Sequence, residues 1–109
     1  MRPLDRSGPP IAGLTAPAVI GDRLDDVHTP ALIIDLDAFD RNILRMRVYA
    51  EAMGVRLRAH AKAHRSADIA RIQLTAGGAS GICCQKVSEA AAFVEAGVDD
   101  ILISNQIVD

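Results

Sequence analysis

A short apolar run followed by a longer amphipathic stretch recurs along this chain, with strand starts near residues 31, 56, 81 and 100. The intervals are 25, 25 and 19 residues. Strand and helix alternating at this spacing predict right-handed βαβ units and a parallel sheet. Flavodoxin-like sheets and β/α barrels both begin this way.

The individual stretches support that reading. "ALIID" (31–35) is a β-branched apolar run of strand length. In "DAFDRNILRMRVYAEAM" (37–53), Phe39, Ile43, Met46, Ala50 and Met53 recur at spacings of three and four and share one helical face. Asp37 suits the N-cap of that helix and Gly54 its C-terminal stop. "VRLRAHAK" (55–62) predicts a second strand, and "SADIARIQLTA" (66–76) a helix capped by Ser66 and stopped by Gly77 and Gly78. "GICCQ" (81–85) predicts the third strand, "VSEAAAFVEA" (87–96) a helix ending at Gly97, and "DILIS" (100–104) the fourth strand.

Residues 1–28 are rich in Pro, Gly and Asp without a sustained period, which predicts an extended arm ahead of a folded part at 29–109. "ISNQIVD" closes the chain just past the fourth strand, with no helix to cover it. An eight-stranded barrel takes about 250 residues, so four strands make half of one. The expectation is a chain truncated after its fourth strand, and these residues alone should be poorly soluble or molten because their sheet edges are bare.

Composition narrows the function. The 109 residues fit one small domain or a piece of a larger one. A net charge of −2 argues against a general nucleic-acid binder. No run approaches the roughly 20 apolar residues that span a bilayer. Asp5, Pro9, Pro10 and Pro17 interrupt any signal-peptide pattern, so a cytoplasmic protein without a membrane partner is expected. Cys83 and Cys84 are adjacent, which excludes a CxxC redox pair; on a strand they point to opposite faces, as small buried residues.

The densest chemistry lies in "RLRAHAKAHR" (56–65), which gathers Arg56, Arg58, Lys62 and Arg65 with His60 and His64. If 56–62 is a strand, alternation sets Arg56, Arg58, His60 and Lys62 on one side, and Leu57, Ala59 and Ala61 on the other. Lys62 would then stand at the strand's carboxyl end, where parallel α/β folds build their sites. A solvated edge strand carrying charges against aggregation is the bland alternative. A lysine that forms Schiff bases must be neutral part of the time, and moving its pKa from about 10.4 to about 7 takes roughly 4–5 kcal/mol. A cation at about 7 Å supplies roughly 2 kcal/mol at an effective dielectric near 20, so partial burial must contribute the rest. The same field suits an anion such as a cofactor phosphate. His60 and His64 have helical i,i+4 spacing without the intervening glutamate of a zinc protease, a weak metal signal. "GGASG" (77–81) leads from helix to strand, the wrong sense for a phosphate loop.

Taken in order, "TPALIIDLDAFDRNI", "RLRAHAKAHRS" and "GICCQKVSEA" closely resemble the D-threonine aldolase family, with the 3-hydroxy-D-aspartate aldolases as nearest look-alikes. These belong to the alanine-racemase-like pyridoxal phosphate enzymes, and the resemblance covers about residues 28–109. It implies the N-terminal part of a parallel, TIM-like β/α barrel of the alanine racemase type, with a C-terminal β domain to follow. In that family the lysine of the His-x-Lys-x-His strand carries the cofactor covalently, which implies this role for Lys62. Gln85 matches a position near the cofactor, and His60 would orient it or keep the charge of Lys62 low. A divalent metal is implied too, with ligands beyond residue 109; none is assigned within these residues.

The resemblance implies a small-molecule amino-acid substrate, a homodimer when complete, and cleavage of a D-β-hydroxy amino acid (D-threonine or 3-hydroxy-D-aspartate) to glycine and an aldehyde. A dehydratase acting on D-serine or hydroxyaspartate would use the same scaffold. A pyridoxal phosphate carrier without turnover would need Lys62 equally.

Overall fold

The computed structural model describes residues 18–108. The chain divides into two compact units, Met1–Ile34 and Asp35–Asp109. Part of the expected N-terminal arm, residues 1–17, lies outside the described residues.

In the first unit, a turn is closed by the Val19 N–H donating to Asp22 Oδ2 at 2.9 Å, and a 3-10 turn spans Leu24–Asp26. Residues 31–35, the predicted first strand, have no ladder partner among the described residues, and Leu32, Ile33 and Ile34 are exposed. The sheet therefore has three strands among the described residues, not four. A β-branched run disposes the backbone to extend, but a strand exists only where a neighbour supplies the N–H and C=O partners.

The second unit opens with α1 (Leu36–Ala52). Its cap is Asp35, two residues before the predicted Asp37: Asp35 Oδ1 accepts the Ala38 N–H at 2.8 Å. Asp35 is in extended backbone, which lets its carboxylate reach forward to the first turn, and Asp37 then adds a favourable charge at the positive end of the helix. The inward face of α1 is narrower than its periodicity predicts. Ala50 is buried and Phe39 and Ile43 are half-buried, but Met46 and Met53 are exposed.

There follow β1 (Arg58–His60), a 3-10 turn (Ala61–Ala63), α2 (Ala67–Leu74), β2 (Gly81–Cys84), α3 (Val87–Glu95) and β3 (Ile101–Ile103). All pairings are parallel, in the order β1-β2-β3. Ser66 caps α2 as expected, accepting the Ile69 N–H at 3.4 Å. Gly54, Gly78 and Gly97 take the left-handed conformation that helix stops favour, at φ +64°, +63° and +88°.

β1 is shorter than the predicted 55–62 strand. At its end His60 Nδ1 accepts the Lys62 N–H at 3.3 Å, and the chain leaves the ladder for the 3-10 turn. The alternation expected for this strand holds within it. Register pairs Arg58 with Gly81 and His60 with Cys83 on one face, and Ala59 with Ile82 on the other. The second face is the core side, where Ala61, Ile82 and Cys84 meet Ala70 of α2 and Ala90 and Phe93 of α3. Alanines at these contacts let both helices approach the sheet closely, and Phe93 fills the remaining volume. Burial of Ile82 and Phe93 contributes about 1.5–3 kcal/mol each. Central β2 is buried along its whole length.

Candidate active site

Three strand ends define one edge of the sheet. His60 ends β1, Cys84 ends β2 and Ile103 ends β3. Just beyond them stand Lys62 in the 3-10 turn, Gln85, and Ser104. Ser104 joins the last two strand ends, donating from its backbone N–H (3.1 Å) and its hydroxyl (3.4 Å) to the Cys84 carbonyl. The 3-10 turn packs against β2. Lys62 and Gln85 thus follow the carboxyl ends of neighbouring strands, and His60 immediately precedes the turn that carries Lys62.

The three side chains differ in setting. Lys62 is exposed and makes no side-chain hydrogen bond or ion pair among the described residues. His60 is half-buried, and its Nδ1 acts as an acceptor, which leaves the proton of the neutral ring on Nε2. Gln85 is half-buried, with its backbone N–H donating to Glu89 Oε2 at 2.9 Å. Lys62 is not in line with Arg58 and His60, since strand alternation stops at His60.

The basic cluster, compact in sequence, is dispersed in space. Arg58 lies at the opposite end of β1 and grips Asp100 with its two terminal nitrogens, Nη1 at 2.8 Å and Nη2 at 3.2 Å. It donates also to the carbonyls of Ile82 and Asp100, each at 3.3 Å. The Arg58 charge is therefore engaged by a carboxylate at the end of β1 away from Lys62. His64 is held between Gln73, at 3.2 Å from Nε2, and the Ser66 N–H, which donates to Nδ1 at 3.1 Å. Its ring meets Phe93 edge-on at 6.5 Å. His60 and His64 thus have separate structural partners, and no cluster of three or more His, Cys, Asp or Glu suited to a metal forms among the described residues.

Two acidic residues that sequence reasoning passed over organise this end and its opposite. Glu89 accepts from the Gln85 N–H, and this bond, with the Lys86 N–H and the Arg65 and Lys86 charges, holds its carboxyl below the usual range. The signal was available: Glu89 occupies the third position of α3, where a carboxylate reaches back to free N–H groups. The Arg58 hydrogen bond likewise holds the Asp100 carboxyl below its usual range, with the Arg58 and Arg56 charges adding to it. A carboxyl whose folded pKa is depressed stabilises the fold above its unfolded pKa of about 3.9, and that contribution is lost as pH falls through the lower folded value. Thermal unfolding midpoints followed from neutral pH to below about pH 4 should accordingly fall more for the native protein than for Asp100→Asn. Equal acid sensitivity of the two would remove Asp100 from this role.

Both cysteines are free and buried on opposite faces, as alternation predicts. Burial pushes the Cys84 thiol up, away from the reactive thiolate form.

A parallel β/α unit whose candidate groups gather at the carboxyl ends of its strands is the opening of an α/β barrel or open sheet. Residues 34–108 match the alanine racemase N-terminal domain, and the chain belongs to that family. It is 47% identical over 95 residues to the 3-hydroxy-D-aspartate aldolase of Paracoccus denitrificans, covering 87% of this chain and 24% of that protein. It is 48% identical over 81 residues to the D-threo-3-hydroxyaspartate dehydratase of Delftia sp. (strain HT23), covering 74% of this chain and 21% of the relative. The crystal structure of D-threonine aldolase from Filomicrobium marinum superposes with a TM-score of 0.81 at 55% identity, over 86% of this chain and 25% of that one. The chain thus spans about a quarter of the length of these relatives.

Proposed function

We propose that the complete protein is a pyridoxal phosphate-dependent lyase that cleaves a D-β-hydroxy amino acid to glycine and an aldehyde. The observation that carries this reading is the exposed amine of Lys62, in a turn set by His60 at the end of β1 and next to the strand end that bears Gln85. An aldehyde cofactor requires an amine without a competing carboxylate, and Lys62 has none among the described residues. The residues present therefore fit the group. When bound, pyridoxal phosphate supplies a sink for the electron pair released at the substrate's Cα.

Lys62 would hold the cofactor and, once displaced by the substrate amine, stand as a free base at the same strand end. His60 and Gln85 would border and orient the ring. Cα–Cβ cleavage needs a β-oxygen whose lone pair can form the new carbonyl, so a base must take the hydroxyl proton. That base, and the ligands of a divalent metal, are not among the residues gathered at this edge and would come from elsewhere in the complete protein. We place residues 29–109 as the first part of the barrel, in a cytoplasmic homodimer acting on a small amino acid.

Two relatives named aldolases and one named a dehydratase leave two product sets to separate. Incubating the full-length enzyme with D-threonine and with 3-hydroxy-D-aspartate, with and without chelator, tests the reading. Glycine and an aldehyde are expected, with loss of turnover under chelation. Ammonia and a keto acid instead would identify a dehydratase.

A further inference from the structure

The turn that carries Lys62 is closed by an uncommon backbone conformation. Arg65 has φ +51°, a left-handed geometry that crowds the Cβ of any residue but glycine. Its N–H donates to the Ala61 carbonyl at 2.8 Å, so Lys62 lies inside a loop of chain tied at both ends. Outside that loop, Arg65 Nε pairs with Glu89 Oε1 at 3.4 Å. The other oxygen of the same carboxylate, Oε2, accepts the Gln85 N–H at 2.9 Å. The Glu89 side chain is only 13% exposed, against 71% for Arg65. A carboxylate so enclosed is fixed by its partners, whereas an exposed ion pair alone would fix little.

We propose that Glu89 is a positioning residue, whose two oxygens clasp the turn bearing Lys62 to the loop bearing Gln85. The proposal rests on the reading that Lys62 and Gln85 adjoin the cofactor, and it assigns Glu89 no contact with the reacting atoms. Its rival is plain: Glu89 only caps α3. A cap would act on Gln85 and the first turn of α3, and leave residues 61–65 untouched.

Two substitutions separate these roles in the full-length protein. In Glu89→Gln the side-chain oxygen can still accept from Gln85, but the charge facing Arg65 is gone. In Glu89→Ala both contacts are lost. Amide hydrogen exchange without cofactor should rise about tenfold at residues 61–65 in both variants, and at residues 85–88 only in Glu89→Ala. Protection across β2 and α2 should stay as in the native protein, showing that the fold is intact. In a second arm, pyridoxal phosphate is added and reduced with borohydride. The concentration needed for half-labelling of Lys62 should rise roughly tenfold in Glu89→Gln. Unchanged exchange at 61–65 in both variants would overturn the clasp and leave Glu89 a helix cap. Absence of label on Lys62 in the native protein would refute the cofactor reading alone, because the exchange pattern decides the clasp without it.

Discussion

Lys62→Ala and Lys62→Arg, each made in the full-length protein, are both expected to lose the cofactor's visible absorbance and to slow cleavage roughly a thousandfold or more. The expectation depends on the amine, not on the charge. Alanine removes both, but arginine keeps the charge and replaces the amine with a guanidinium that is not deprotonated in proteins. If Lys62 merely contributed to a positive field for a phosphate, Lys62→Arg would retain most of the activity, and the covalent role would fail. Lys62 and Lys86 are the two lysines of this chain. Lys86 precedes α3 immediately and follows Gln85, so it is the natural rival at the same edge of the sheet. Borohydride reduction and peptide mapping separate them: a pyridoxyl label on Lys86 in place of Lys62 would overturn the assignment.

Much of the fold is legible in the sequence because its elements are set by local signals. Ser66 caps a helix, Gly54 and Gly97 stop two others, and the apolar run at 81–84 forms a buried central strand. What escaped is what depends on partners distant in sequence. Nothing within "ALIID" tells whether a neighbouring strand exists to receive it, and none among the described residues pairs with it. The basic cluster misleads for the same reason. Arg56, Arg58, Lys62 and Arg65 are close along the chain, but Arg58 is held by Asp100 and Arg65 by Glu89. Those acids lie 42 and 24 residues away from their arginines. Spacing could place Lys62 at the end of its strand; it could not show that the chain would turn at His60 and take Lys62 out of the pleat.

Gly81→Ala should destabilise the sheet by about 1–3 kcal/mol, although it adds one methyl group at the start of a strand. Gly81 lies opposite Arg58 in the parallel register, under the guanidinium that crosses from β1 to Asp100. A Cβ there would collide with Arg58 Nη1 and stand 2.9 Å from Arg58 Cζ and 2.7 Å from the Asp100 carbonyl oxygen. The guanidinium can swing aside, at the loss of its grip on Asp100, but the carbonyl is backbone and cannot move without shifting the entry to β3. Both adjustments loosen the same corner. For a unit of this size, each kcal/mol corresponds to several degrees in the unfolding midpoint, and proportionally less in a longer chain. The double substitution Arg58→Ala with Gly81→Ala separates the two clashes. Removing the guanidinium clears two of the three close atoms and leaves the carbonyl, so the two costs should be less than additive without vanishing. Thermal unfolding of the four proteins, with amide exchange in β2 to locate the change, completes the cycle. Strict additivity would mean that Arg58 does not press on this position, and a neutral Gly81→Ala would mean that the strand opening has room to spare.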